Sequence, residues 1–249
     1  MSHTPENHAV VSRENWLEAR RALLVKEKAH TRARDALNRE RLALPWVKLE
    51  KRYVFDTPSG KKTLSELFDG RSQLMVYHFM LGPDWEAGCP GCSFLADHLD
   101  GTLPHLNHHD VTLVAVSRAP LVKIQAYQRR MGWRFPWVSA HESDFNTDFH
   151  VSFSREELAG ETIAYNFVDL PVAQGHDELP GLSAFYRDEA DQVFHTYSTY
   201  ARGAEELLGT MMILDRAPLG RNEEADMNFI RRHDEYEDAP KPSCCGGGA

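Results

Sequence analysis

Long apolar runs are missing from this chain. The longest, Leu74-Met75-Val76-Tyr77 and Val111 to Val116, fall far short of the roughly 20 apolar residues a helix needs to cross a bilayer. No membrane span is predicted. A positive charge excess is missing too: 28 Lys and Arg against 37 Asp and Glu leave a formal charge of −9. Sequence-blind binding of phosphate backbones needs clustered Lys and Arg, so nucleic acid is not an expected partner. The basic residues of the first fifty positions are interleaved with acidic ones, as on a solvated helix face. Met1 to Val10 is polar, with no apolar signal segment, which predicts a cytoplasmic address. There is no Gly-rich phosphate loop, so nucleotide binding is not suggested, and no internal repeat. Cysteine is scarce: four residues in two close pairs, Cys89 with Cys92 and Cys244 with Cys245. In a reducing compartment that pattern suggests redox or metal chemistry rather than a disulfide framework.

What is present suffices for a sizeable core: 249 residues, 42% of them hydrophobic. From about Ser12 to Leu44 the chain reads as one long helix. Ser12 can cap it, Glu14 and Glu18 suit its first turns and Pro45 ends it. Its sparse stripe of Trp16, Leu23, Leu24, Leu37 and Leu42 suits a peripheral helix, lying on the domain or on the partner in a homodimer. Val47 to Phe55 partly alternates, Thr57-Pro58-Ser59-Gly60 turns the chain, and Lys62-Thr63-Leu64 can return as a strand. Ser65 to Phe68 reads as a helical turn. Gln73 to Met80 and Val111 to Val116 read as buried strands, with helices at Ser93 to Leu106 and Leu121 to Met131 and a short strand at Pro136 to Ala140. His141 to Pro180 is polar and has no clear periodicity beyond a strand at Ile163 to Val168. Leu182 to Tyr186 and Val193 to Tyr200 flank a hairpin turn, and Ala204 to Leu214 closes as a helix. From Pro218 polar residues dominate, and Ser243 to Ala249 has the composition of a mobile end.

The order β-α-β-α-β, insertion, β-β, α predicts an α/β, thioredoxin-like fold. It carries an N-terminal helix and hairpin extension and an insertion before the last hairpin. The expected division is a helical extension at 1–44, the domain at 45–216 and a polar, partly disordered tail at 217–249.

Cys89-Pro90-Gly91-Cys92 follows a buried strand and opens a helix, the place for a redox dithiol in such a domain. Free backbone N–H groups and the helix dipole there stabilise an anionic sulfur, so Cys89 is the expected nucleophile, with a lowered pKa. Cys92, one turn on, is expected to resolve the mixed disulfide. Pro90 fits the first helical turn because its missing N–H is not needed. Among other residues, His195 on the last hairpin is a candidate proton shuttle for Cys89. It is equally a candidate third ligand, with Cys89 and Cys92, to a soft metal such as Cu(I). His78, Trp85, Tyr197 and Arg118 are candidate supporting or substrate-binding residues. Arg134 is a further candidate for an anion, His105, His108 and His109 form a weak metal cluster, and the Cys244-Cys245 tail can hold a soft metal or shuttle disulfides.

Several stretches resemble one bacterial and fungal family. They are His78-Phe79-Met80-Leu81-Gly82-Pro83-Asp84-Trp85-Glu86 with the Cys-Pro-Gly-Cys that follows, Met131-Gly132-Trp133-Arg134-Phe135-Pro136-Trp137-Val138-Ser139, Asp144-Phe145-Asn146, and Phe194-His195-Thr196-Tyr197-Ser198-Thr199-Tyr200-Ala201-Arg202-Gly203. The chain is similar, from about Trp16 to Asp226, to a domain-of-unknown-function family of predicted dithiol-disulfide oxidoreductases, thioredoxin-like. The resemblance implies the fold and a dithiol at Cys89 and Cys92. Two features depart from better-known relatives. Thioredoxins place a cis-proline directly before the strand facing the dithiol, whereas Pro180 falls about two residues early. Peroxiredoxins carry a threonine three residues before the peroxidatic cysteine, where this chain has Glu86. The leading expectation is a thiol-disulfide oxidoreductase that needs no resident cofactor and works with an oxidised-sulfur substrate and an external thiol reductant. A copper-binding protein or a non-catalytic interaction module are the alternatives.

Overall fold

A computed structural model describes residues 8–172, 177–222 and 227–237. The chain begins with helix α1 (Arg13–Leu42), whose N-cap Ser12 accepts from the Asn15 amide, as the sequence predicts. No residue of α1 is buried, so its sparse apolar stripe stays exposed, including Trp16, Leu23 and Leu37.

Eight strands then build one sheet: β1 (Val47–Lys48), β2 (Val54–Thr57), β3 (Gly60–Thr63), β4 (Gln73–His78), β5 (Val111–Ser117), β6 (Trp137–Ser139), β9 (Gly181–Arg187) and β10 (Val193–Tyr200). Their order is β1-β10-β9-β4-β5-β6-β2-β3. A separate two-stranded sheet holds β7 (Thr162–Tyr165) and β8 (Val168–Pro171). β4, β5 and β6 run parallel, while β9 is antiparallel to β4 and β10 to β9. The crossover from β4 to β5 holds α2 (Pro90–Ala96) and α3 (Leu103–His108), and that from β5 to β6 holds α4 (Leu121–Met131). Two parallel strands joined by a helix that the dithiol opens, followed by an antiparallel hairpin on the other side of the first strand, make this a thioredoxin-like fold.

Period-two alternation along β4 divides the core in two. Tyr77 and, just past the strand, Phe79 face a cluster with Cys92, Phe94, Leu95, Ile124, Trp133 and Trp137. Leu74 and Val76 face the other, with Phe55, Phe68, Val116, Phe145, Phe149 and Phe185. Phe145, in α5 (Phe145–Asp148), centres the second cluster, with ring centroids 4.9 Å from Phe55, 4.7 Å from Phe149 and 5.1 Å from Tyr53.

The structure alters several expected boundaries. The stretch Val47 to Phe55 is split: β1 pairs with β10 at one edge of the sheet, while β2 and β3 close the opposite edge. Trp46 anchors the β1 end, its ring 5.0 Å from Tyr186 and 6.1 Å from Phe194. The expected helix over Ser93 to Leu106 is broken into α2, a 3-10 turn at Asp100–Thr102 and α3, because Pro104 has no N–H to continue the ladder. The closing helix is likewise a 3-10 turn at Ala201–Leu207 followed by α7 (Gly209–Leu214). The insertion is ordered over 141–172 as α5, α6 (Arg155–Leu158, with a capping box from Ser154 and Glu157) and the β7-β8 hairpin. The expected tail is not separate from residue 217. Ile230 is buried in the cluster that holds Cys92, and Met227 and Phe229 pack against it. Cys244 and Cys245 lie outside the described residues.

Removing the ring at the centre of the rear core tests this packing. Phe145→Ala is expected to cost about 3–5 kcal/mol, read as a lowered urea midpoint. An unchanged midpoint would show that the cluster does not hold the sheet together.

Candidate dithiol site

The site is built where β4 gives way to α2. Cys89 caps α2 with Pro90 in its first turn. The Cys89 amide donates to the Met80 carbonyl at 3.1 Å, and the Cys89 carbonyl accepts from the Ser93 amide at 2.9 Å and from Ser93 Oγ at 2.8 Å. Ser93 Oγ in turn shares a 2.8 Å hydrogen bond with Tyr127 Oη. Gly88 packs so closely that a Cβ would sit 2.6 Å from the Phe79 ring and 2.7 Å from that of Tyr127. Only glycine brings the loop this near the core. The Arg232 guanidinium holds the Gly88 carbonyl through Nε at 2.9 Å and Nη2 at 2.7 Å.

Both cysteines are free thiols, Cys89 half-buried and Cys92 buried. The Cys92 thiol donates to the Cys89 sulfur, which also faces the amides of Cys92 and Gly91 and the charge of Arg232. Against the opposing effect of burial, these hold its pKa at about 6. The Cys92 thiol is pushed well up, first by burial and then by its bond to Cys89 and the charge there. The Tyr77 hydroxyl and the Met80 amide, 3.5 Å from Sγ, act in the opposite sense. The pair is therefore divided: one sulfur is poised to ionise near neutral pH, and the other keeps its proton. Above them lies a cavity of about 230 Å3 whose lining includes Tyr77, Leu95, Pro180, Tyr200, Met211 and Met227.

Of the residues singled out in the sequence, the structure brings together Cys89 and Cys92 alone. His195 does not reach them. It lies on the opposite face of the sheet, its ring 5.2 Å from Phe149 and 5.5 Å from Phe185, and its Nε2 is bonded to Ser198 Oγ at 2.8 Å and the Tyr197 carbonyl at 3.1 Å. The expected proton shuttle and three-ligand copper site are thus not assembled. Among the described residues no three His, Cys, Asp or Glu are placed to hold a metal ion, His105, His108 and His109 included. His78 is on the same rear face, stacked on Phe145 and Phe149, and burial pushes its pKa down to about 3. A chain of hydrogen bonds links the two histidines: His78 Nε2 to Ser183 Oγ at 2.9 Å, Ser183 to Ser198 at 2.8 Å, and Ser198 to His195.

Trp85 closes the loop before α2, its ring against Gly82 and its carbonyl bonded to Lys123 Nζ at 2.9 Å. Tyr197 lies under the Arg41 guanidinium, 5.1 Å away. Arg118 is held by Asp177 and Glu178, and burial pushes the Glu178 carboxyl up to about 7 despite that guanidinium. Arg134 pairs with Asp100 at 3.5 Å. None of these four lines the cavity over the dithiol. Pro180, expected two residues early, in fact directly precedes β9 and lines that cavity, and every described peptide bond is trans.

Sequence reasoning missed Tyr77, Arg232 and the cavity wall. Tyr77 was within reach, since on β4 it shares the parity of Phe79 and so faces α2. Arg232 carries no local signal, standing 143 residues after Cys89 in a polar stretch.

Fold and site together define a thioredoxin-like domain with a reduced dithiol at the start of its first crossover helix. The chain belongs to the family described as bacterial protein of unknown function (DUF899), whose model matches residues 5–236. No curated protein matches it in sequence. Solved structures similar to it include peroxidoxin BcpB from Mycobacterium tuberculosis, at 15% identity and a TM-score of 0.42 over 68% of this chain and 96% of that one. PrxQ of Xylella fastidiosa is similar at 17% identity and a TM-score of 0.39, over 65% of this chain and 88% of that one. Peroxiredoxin Q of Xanthomonas campestris is similar at 15% identity and a TM-score of 0.40, over 64% of this chain and 89% of that one.

The electrostatics predict how Cys89 alkylates. Its rate with iodoacetamide should rise with pH through a midpoint near 6, because the thiolate reacts and the thiol does not. Arg232→Ala should move that midpoint upward and His195→Ala should leave it in place. A midpoint near that of a free cysteine in the wild type would show that the site does not stabilise the thiolate.

Proposed function

We propose that this protein is a thiol-disulfide oxidoreductase with Cys89 as nucleophile and Cys92 as resolving thiol. The observation that carries the reading is the division of labour between the sulfurs: Cys89 is favoured as thiolate by a hydrogen bond from the Cys92 thiol, which burial keeps protonated. A thiolate whose pKa lies near ambient pH combines a high ionised fraction with retained nucleophilicity.

The reaction runs in two displacements. Cys89 attacks one sulfur of the substrate disulfide, forming a mixed disulfide and releasing the other sulfur as a thiolate. Cys92 then gives up its proton to the substrate thiolate released in the first step and attacks the Cys89 sulfur. That step forms the Cys89–Cys92 disulfide, expels the second substrate thiolate and completes the transfer of two electrons. Tyr77, whose hydroxyl bonds the Cys92 sulfur, steadies the charge as that thiol ionises. An external thiol reductant returns the electrons and restores the dithiol.

Cys89→Ser is expected to abolish disulfide reduction, and Cys92→Ser to stop the reaction at a mixed disulfide seen as a mass adduct on Cys89. Full activity in the Cys89 variant would sink the proposal. Tyr77→Phe is expected to leave alkylation of Cys89 unchanged and to slow resolution, so that the mixed disulfide accumulates.

A further inference from the structure

We infer that the oxidised substrate is a small, uncharged, apolar disulfide that enters the cavity over Cys89 and Cys92, and not the disulfide of a protein. This rests on the redox reading above and names its substrate class.

The first argument is the wall. Tyr77, Leu95, Leu208, Met211 and Met227 present carbon and thioether surface to the space above the sulfurs. Arg202 and Glu205 also line it, but they are paired with each other at 2.7 Å, and Glu205 pairs again with Arg221 at 2.6 Å. A charged substrate would have to give up its hydration against the apolar part of the wall, while Arg202, whose side chain is largely exposed, stays in water.

The second argument is size. Pockets for drug-sized molecules run to about 300–1,000 Å3, and this one is about 230 Å3. It admits a compound with a short alkyl chain or a single ring on each sulfur.

The third argument is access for a polypeptide. A protein disulfide brings main chain with it, and the place to lay it is the segment entering β9. That segment is occupied. The Pro180 carbonyl accepts from Tyr165 Oη at 2.7 Å. Gly181 is packed so tightly that a Cβ would sit 2.9 Å from Val151 and 3.1 Å from the Tyr200 ring. The groups that cover it, Val151 and Tyr165, come from the insertion between β6 and β9. The 3-10 turn, Leu208 after it and α7 add Ala204, Leu208 and Met211 to the wall.

The test uses the full chain with Cys244→Ser and Cys245→Ser, so that one dithiol reacts. Single-turnover rates are measured with dithiodipyridine, with anionic dithiobis(nitrobenzoic acid) and with insulin, each divided by the rate of dithiothreitol on the same disulfide. The expected result is a preference for dithiodipyridine of about a hundredfold over the anionic compound, the scale on which a shaped apolar pocket discriminates, with insulin no faster than with dithiothreitol alone. Ala204→Trp, which places an indole in the cavity, is expected to lower the dithiodipyridine rate about tenfold and to leave the pH midpoint of Cys89 in place. Insulin reduced as efficiently as dithiodipyridine, or no preference between the two small disulfides, overturns the substrate class and leaves the redox reading standing. Reduction of none of them by a Cys89 that still alkylates removes the redox reading, and this inference with it.

Discussion

The structure depends on the alternation of side chains along β4. The strand is central, paired with β5 on one side and β9 on the other, and a hydrophobic cluster packs against each of its faces. Leu74, Val76 and His78 are committed to one core, and Met75, Tyr77 and Phe79 to the other. That parity decides which side carries chemistry. The chain leaves β4 toward the Tyr77 side, turns over Phe79 and delivers Cys89 and Cys92 to the same face. The histidines, which sequence inspection placed near the sulfurs, are committed to the other. A one-residue slip of β4 would exchange the two sets.

Local signals in the sequence were the ones that survived. The cap Ser12, the breaker Pro45 and the strand–dithiol–helix order each depend on a few neighbouring residues, and each was legible. His195 was not, because its face depends on register. β10 carries an irregularity between His195 and Tyr197, and an extra residue there reverses the parity on either side of it. Pro180 was misjudged for a smaller reason of the same kind: β9 starts one residue earlier than its apolar run suggests, at Gly181. The insertion from His141 to Pro180 gave no period because its elements are single turns and a small hairpin, each too short to show one.

The wall over the dithiol illustrates the hardest case. Its members come from β4, α2, the entry to β9, the end of β10, the 3-10 turn after it, α7 and the segment near Met227. No window of sequence contains more than a fraction of them. Arg232 and Ile230 come from the stretch that composition marks as a polar tail, yet one clamps the Gly88 carbonyl and the other is buried beneath the active loop. The electrostatic character of Cys89 is thus partly a tertiary property, completed by a residue from the far end of the chain.

The serine pair on the rear face has a consequence for the imidazoles it joins. The Tyr197 carbonyl can only accept, so it fixes a proton on His195 Nε2, which then also donates to Ser198. Ser198 thus stands between His195, Ser183 and the Tyr200 hydroxyl, and Ser183 carries the chain of hydrogen bonds on to His78 Nε2. His78 Nδ1 is buried and has no hydrogen-bond partner among the described residues, so this ring is held on its polar side through Ser183 alone. One carbonyl on β10 fixes the tautomer of the imidazole beside it, and two hydroxyls tie that ring to another imidazole two strands away.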